Sequence, residues 1–424
     1  MTIKKSKLKN GLTVLTVPRT ETKAVTLFIL FGVGSRYEPK EINGISHFLE
    51  HMFFKGTKKR PSTLEISQEL DKLGAEYNAM TSKDYTGYYI KVNAEKTTEA
   101  FDILSDMLFN SVFDPTMINQ EKGVIVEEIN MYEDNPLMYV QDLFEQAVYG
   151  KSNPLGQLIA GSKNKVRQIN RQKLLNYRKK YYHPRNAVLI AAGRIKNSQL
   201  QKLAEKYLAK EKKKKKSKYQ PAKNNQQRPR VNLVNKKSEQ IQLGLGFPAY
   251  SYFDRRYYAL EVLNNILGGM MSSRLFIEIR VKRSLAYFIN SSLNIYQDTG
   301  NLMIQAGLDK KRVKEAIQAI LAEVSKLKNE KVSRQELQKA KDNIKGKIVL
   351  KMEDSESVAG FLGKQYLLTN KLTTPQEHLQ KISAVTPEQI QKIAQDLFCP
   401  EKINLAAIGP SLNKQKLLKL MAFQ

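Results

Sequence analysis

The chain repeats itself. Slid along its own length, Tyr181-Tyr-His-Pro-Arg-Asn-Ala-Val-Leu-Ile-Ala-Ala-Gly193 falls on Leu397-Phe-Cys-Pro-Glu-Lys-Ile-Asn-Leu-Ala-Ala-Ile-Gly409. Both stretches read as a helix end, a proline break, an apolar strand and a glycine turn. Just upstream, Asn170 opens one helix, and Thr386-Pro387 opens its mate with an N-cap residue and a proline at the first helical position. At the same offset, Val25-Thr-Leu-Phe-Ile-Leu-Phe31 falls on Ile241-Gln-Leu-Gly-Leu-Gly-Phe247. An offset that stays constant from Val25 through to Gly193 points to duplication, so the two halves should share one fold.

The halves meet at a basic, polar stretch. Lys210-Glu-Lys-Lys-Lys-Lys-Lys-Ser-Lys218 runs into Tyr219-Gln-Pro-Ala-Lys-Asn-Asn-Gln-Gln-Arg-Pro229. Such a composition cannot bury a core and reads as a linker. The expected division is a domain over 1–212, a linker over 213–230 and a homologous domain over 231–424. In the first half, Leu12–Val17 and Val25–Gly32 read as strands, and Tyr77–Thr81 with Thr86–Val92 as a hairpin around Ser82-Lys-Asp-Tyr85. Helical periods follow at Thr97–Ser111, Thr116–Tyr132 and Asn170–Tyr181. Strands close in sequence favour a mostly antiparallel sheet of about six strands per domain with helices packed on it, an α+β architecture.

Composition narrows the setting. With 41% hydrophobic residues the chain can bury a core, which excludes a disordered polymer. No window approaches the ~18 consecutive apolar residues of a spanning helix. The basic N-terminus leads into Gly11-Leu-Thr-Val-Leu-Thr-Val-Pro18, too short and too polar for a signal peptide, so the expected compartment is the cytoplasm. A single cysteine, Cys399, excludes a disulfide framework. Lys plus Arg is 70 against 41 for Asp plus Glu, a net charge of +29. That surplus favours contact with polyanions. No zinc knuckle, RNP-type strand or other nucleic-acid module accompanies it, so the charge reads as a solvated surface without specific nucleic-acid recognition.

The chemistry concentrates in residues 43–56. Ile45, Phe48, Leu49, Met52 and Phe53 form the apolar stripe of an amphipathic helix, with Gly56 as its stop. At about 100° per residue, His47, Glu50 and His51 cluster on the opposite face. The whole chain has four histidines, and two of them stand here at i and i+4. That spacing lets both imidazoles hold one divalent ion, with Glu50 near enough to act on a water at the metal.

A catalytic zinc site of this kind requires a third protein ligand. The helix that starts after Asp114-Pro115 carries Glu121 and Glu128, two turns apart on a face shared with Val124 and Ile125. A carboxylate on an apolar face needs a cation or a metal as partner. Glu127 points about 100° away and is the weaker candidate.

His47-Phe-Leu-Glu-His51 is the inverted zinc motif of the inverzincins. With Phe54-Lys-Gly-Thr57 behind it and Glu121 and Glu128 further along the chain, the sequence resembles the pitrilysin (insulinase, M16) metallopeptidases, and among them the short members similar to the processing-peptidase β subunit. The resemblance implies that His47, His51 and Glu128 bind one zinc ion per chain, that Glu50 is the general base, and that Glu121 supports the site. It further implies that Asn78, Ala79, Met80 and Thr81 form the edge strand along which a peptide substrate lies. Arg280 and Tyr287, within Ser272–Tyr287, match the family pair that contacts substrate and the reacting carbonyl. Two positions depart from the family pattern: Met270 and Ser284 stand where glycines are usual. At the repeat offset, His47, Glu50 and His51 land on Leu263, Ile266 and Leu267, so the second half keeps the fold and lacks the metal.

The function this implies is that of a zinc-dependent endopeptidase acting on peptides or unfolded segments. Long family members join four such domains into a clamshell, so this chain is half of one. A homodimer, or a heterodimer with a pitrilysin-family partner, is expected to complete the site. The alternatives are a non-catalytic structural subunit, whose zinc motif is typically damaged, and a basic nucleic-acid-binding protein.

Overall fold

The computed structural model describes the 424-residue chain apart from residues 213, 216, 217, 223, 224, 423 and 424. Five of those fall in the expected linker 213–230, and that part of it lies outside the described residues.

Strands β1 (Lys4–Lys7), β2 (Thr13–Pro18), β3 (Ala24–Phe31), β4 (Glu76–Thr81), β5 (Thr86–Asn93) and β6 (Ala187–Gly193) form one sheet in the order β1-β2-β6-β3-β5-β4. Every neighbour is antiparallel except the pair β2 and β6. Strands β7 (Arg230–Asn235), β8 (Gln240–Ala249), β9 (Ala286–Ile295), β10 (Gly300–Asp309) and β11 (Asn404–Gly409) form a second sheet in the order β7-β11-β8-β10-β9. Here too only one pair, β7 and β11, is parallel. Without β1 the first order maps pair for pair onto the second. The architecture is α+β, with sheets of six and five strands.

The first sheet is apolar on both faces, which explains why β3 reads as an unbroken apolar run. Val25, Leu27, Ile29 and Phe31 point to one face. There they meet helices α1 (Ile45–Met52), α3 (Thr97–Asn110) and α4 (Pro115–Asp134) through Phe48, Leu49, Leu104 and Ile125; α2 (Thr63–Lys72) joins the same core through Ile66 and Leu70. Phe28 and Leu30 point to the other face, which is covered by Val358, Ala359 and Leu362 of the helix Ser355–Thr369. Gly363 makes that approach possible, since a Cβ there would lie 2.7 Å from Leu30 Cδ1.

That covering helix comes from the other half of the sequence. Reciprocally, α5 (Pro136–Tyr149) packs Val140, Leu143 and Phe144 against Met303, Ala406 and Ile408 in the second unit. Pro136 and Ser355 open the two helices at nearly the spacing that separates Tyr181 from Leu397, so the helices are repeat mates. The compact units are therefore discontinuous. One comprises Met1–Asn130, Gln157–Gln220 and Val349–Thr374, and the other Met131–Gly156, Pro221–Ile348 and Pro375–Gln424. This differs from the contiguous division into 1–212 and 231–424, and the cause is the second apolar face of each sheet.

The linker stretch also buries more than its composition suggests. Arg36 lies 4.0 Å from the Tyr219 ring centre and donates to the Gln220 carbonyl at 3.1 Å. Gln226 is buried and donates to the carbonyls of Glu401 and Ile403. Side chains that satisfy strand-end carbonyls or cover a guanidinium are specified by tertiary partners, which composition does not register. Among the described residues no helix is long and apolar enough to cross a membrane.

Candidate metal centre

Helix α1 starts at Gly44, whose φ of 102° places it in the left-handed region; a Cβ there would lie 2.5 Å from the Ala160 carbonyl oxygen. Gly44 offers no capping side chain. The buried carboxylate of Glu38 takes that role, accepting from the Gly44 N–H at 2.7 Å, the Ser46 N–H at 2.8 Å and the Asn43 amide at 2.9 Å. Negative charge is favourable at a helix N-terminus. Ile45, Phe48, Leu49 and Met52 are buried, which turns His47, Glu50 and His51 to the other side. The helix ends at Met52, ahead of the expected stop at Gly56, and Phe53 stays in the core as its C-cap.

Helix α4 brings the glutamates. Glu128 Oε1 lies 3.4 Å from His47 Nε2, and Glu128 Oε2 lies 3.3 Å from His51 Nε2. Ligand-capable atoms of His47, His51 and Glu128 all fall within 4.8 Å of one another, the one such trio among the described residues. The three side chains keep 12%, 21% and 23% of their surface exposed, so the centre is accessible to water. Two imidazoles and a carboxylate are the donor set of three-ligand zinc sites, which leave a fourth position open. These residues fit that ion.

Glu121 stands behind His51. Its Oε1 is 2.8 Å from His51 Nδ1, and its Oε2 is 2.9 Å from the Lys55 ammonium. Its side chain is almost fully buried. A hydrogen bond from Nδ1–H to a carboxylate fixes the tautomer that leaves Nε2 free to bind a metal. The electrostatics agree. Burial alone would lower the pKa of His51, but hydrogen bonds and charge from Glu121 and Glu128 hold it up at about 9. Burial would raise Glu128, but the two histidines bring it down to about 2. Such strongly shifted, mutually dependent groups mark functional centres.

The other expected site residues are placed as follows. Thr81 donates its hydroxyl proton to Glu50 Oε2, joining the end of β4 to α1. Asn78, Ala79, Met80 and Thr81 lie on β4, the sheet edge, hydrogen-bonded on one side only, to β5. Arg280 and Tyr287 belong to the second unit, with the guanidinium 5.8 Å from the tyrosine ring centre and Tyr287 74% exposed on β9. Ser284 has φ 50°, the backbone conformation that a glycine would adopt without strain. Glu127 is exposed and accepts from Asn130, apart from the trio. Val124, expected on the apolar face, is 51% exposed, so Ile125 alone of the two neighbours marks the buried side.

Among the described residues the second half has no equivalent centre. Leu263, Ile266 and Leu267 are fully buried core. Pro115 and Arg334 open the matching helices, and counting from those starts sets Ala340 at the position of Glu121 and Lys347 at that of Glu128. The Lys347 ammonium donates to the Gly269 carbonyl at 2.8 Å. Glu38 and Lys55 escaped the reading of the sequence. Lys55 has a faint signal, its i+4 spacing from His51; Glu38 has none, because its partners lie five to eight residues on and the contact depends on burial.

Residues 13–163 match the family described as Insulinase (Peptidase family M16), and residues 168–344 match the Peptidase M16 inactive domain. A Bacillus subtilis protein described as an uncharacterized zinc protease is 38% identical over 412 residues, covering 97% of this chain and 99% of that one. One from Rickettsia felis, described in the same terms, is 35% identical over 410 residues, covering 96% and 97%. Among solved structures, a protease from Helicobacter pylori superposes with a TM-score of 0.91 at 25% identity, covering 96% of this chain and 99% of that one. A chain of complex III2 from Candida albicans superposes with a TM-score of 0.86 at 18% identity over the full length of both, a likeness of fold.

Proposed function

The chain belongs to the M16 (insulinase) peptidase family, and from that membership we propose that it is a zinc-dependent endopeptidase cutting peptides or unfolded segments. One observation carries the reading: His47, His51 and Glu128 converge on a single point while Glu50 stands beside them on the same helix turn. His47, His51 and Glu128 would hold the zinc ion, which would supply Lewis acidity toward a carbonyl and lower the pKa of water from about 15.7 toward ~7.

The remaining work falls to the chain's own groups. The Glu50 carboxylate accepts a proton from the attacking water and delivers it to the departing amine nitrogen. Thr81 orients that carboxylate by its hydroxyl hydrogen bond. Glu121 keeps His51 Nε2 directed into the centre, and Lys55 offsets the charge of Glu121. The free edge of β4 offers backbone groups to an extended peptide, a mode of binding that accepts many sequences. Arg280 and Tyr287 complete the site from a partner chain, in a homodimer or with a related family member.

The experiment is Glu50→Gln. A neutral amide cannot take the proton, so hydrolysis of a quenched peptide should fall by at least about 100-fold, the lower end of general-base effects, while bound zinc stays at the wild-type level. Activity within a few-fold of wild type removes Glu50 from this role. A second reading, a non-catalytic subunit, draws on the fold shared with the complex III2 chain. Zinc bound without hydrolysis in the wild-type protein would favour it.

A further inference from the structure

Where β1 ends and β2 and β6 begin, the first unit contains a cavity of about 410 Å³ whose polar lining is Lys7, Thr13, Arg185, Lys215, Tyr366 and Asn370. Half of these are cations, and no lining residue is acidic. All three cationic residues are exposed at the rim of the cavity, and none has a carboxylate or hydrogen-bonding partner among the described residues.

The arrangement is built. Lys7 and Thr13 are register partners on β1 and β2, and Thr13 pairs in turn with Val188 of β6. Gly11 joins the first two strands with φ 93°, and a Cβ there would lie 2.6 Å from Arg185 Cγ. Only glycine leaves room for the arginine stem to cross that turn. Tyr366, from the covering helix, closes another side, with the Lys5 ammonium 5.5 Å from its ring centre. The C-terminus of that helix adds its own attraction for the cations, although two of its carbonyls are engaged, Tyr366 O by the Asn370 N–H and Gln365 O by the Thr369 hydroxyl. The lysines and the arginine keep their full donor sets unspent.

Like charges lining one cavity repel one another, and a bound anion reverses the sign of that interaction. We propose that this cavity is a binding site for a small oxyanion carrying at least two negative charges, as in a phosphate ester or a dicarboxylate. Arg185 supplies the planar fork that matches either group, and Lys7 and Lys215 act as point charges beside it. None of the metal-centre residues lines the cavity, so the site stands or falls apart from the peptidase reading.

The test is isothermal titration of the full chain at low ionic strength, with inorganic phosphate and succinate as separate probes. Repeating it in a His47→Ala background removes any contribution from the metal centre. We expect one site per chain, with Lys7→Gln/Arg185→Gln weakening binding by at least about tenfold. Lys4→Gln/Lys9→Gln removes the same charge outside the cavity and should change affinity by less than about twofold. The probe that binds more tightly tells phosphate from carboxylate chemistry. Should the paired variant lose its fold, Lys215→Gln alone must still weaken binding. The proposal is overturned if neither probe binds the wild type, or if the cavity variants and the charge control lose affinity equally, the mark of diffuse attraction.

Discussion

Glu121, Glu127 and Glu128 share one helix and have three fates. Glu128 faces both imidazoles, Glu121 holds the back of one of them, and Glu127 faces solvent. Replacing a ligand should cost more zinc affinity than the 10–100-fold typical of an outer-sphere partner. Glu128→Gln should therefore lose at least about 100-fold, Glu121→Gln about 10–100-fold and Glu127→Gln less than about threefold, measured by chelator competition. Equal losses at 127 and 128 would mean the third ligand is misassigned. The pH dependence follows from His51, which stays protonated up to about 9 without a cation. Zinc binds the neutral ring, so loading releases a proton below that pH. Apparent affinity should rise by about tenfold per pH unit from 7 towards 9 and level off above, while Glu128, at about 2, adds no slope. A flat profile in a competition assay would contradict this. At this scale much was legible, because one helical period puts His47, Glu50 and His51 together without tertiary information. The Val124 face was misread since a period fixes which residues are neighbours and leaves open which side meets water.

Elements were legible where their punctuation was local. The hairpin around Ser82–Tyr85, the start of α4 at Pro115 and the Asn170 cap before Arg171–Tyr181 all stand where turn and cap residues put them. The partners of an apolar face were not, because a stripe specifies that it must be covered and is silent on what covers it. Hence the helix Ser355–Thr369 lies on the first sheet, although it belongs to the second repeat, while its mate from the first repeat lies on the second sheet. Leu362 is fully buried there beside Phe28 and Leu30. Leu362→Ala should destabilise the first unit by about 2–5 kcal/mol, as deletions in well-packed cores do. The check is hydrogen exchange of β3 and β6 amides. Protection unchanged in those strands would show that the helix contributes little to the sheet it covers.

At the scale of the molecule, the described residues form such a centre in one repeat and not in the other, since Ala340 and Lys347 replace the glutamates and Leu263 and Leu267 the histidines. If Arg280 and Tyr287 act in trans, His47→Ala and Arg280→Ala, each inactive alone, should complement when mixed under subunit exchange. Random pairing yields about a quarter of the wild-type activity per chain, because half of the dimers carry one intact site of two. Exchange without recovered activity, or a fully active monomer, would refute the between-chain site. The traded helices also bear on how such a protein is made. On the ribosome, the last strand of the first sheet, β6, emerges well before the helix that shields its outer face is translated. Until then Phe28, Leu30 and Ile190 lack their covering helix, and uncovered apolar surface of this kind favours aggregation. The same fact bears on ancestry. A single copy could cover that face with its own helix or by trading helices with a second copy, and fusion of two traded copies would give the packing seen here.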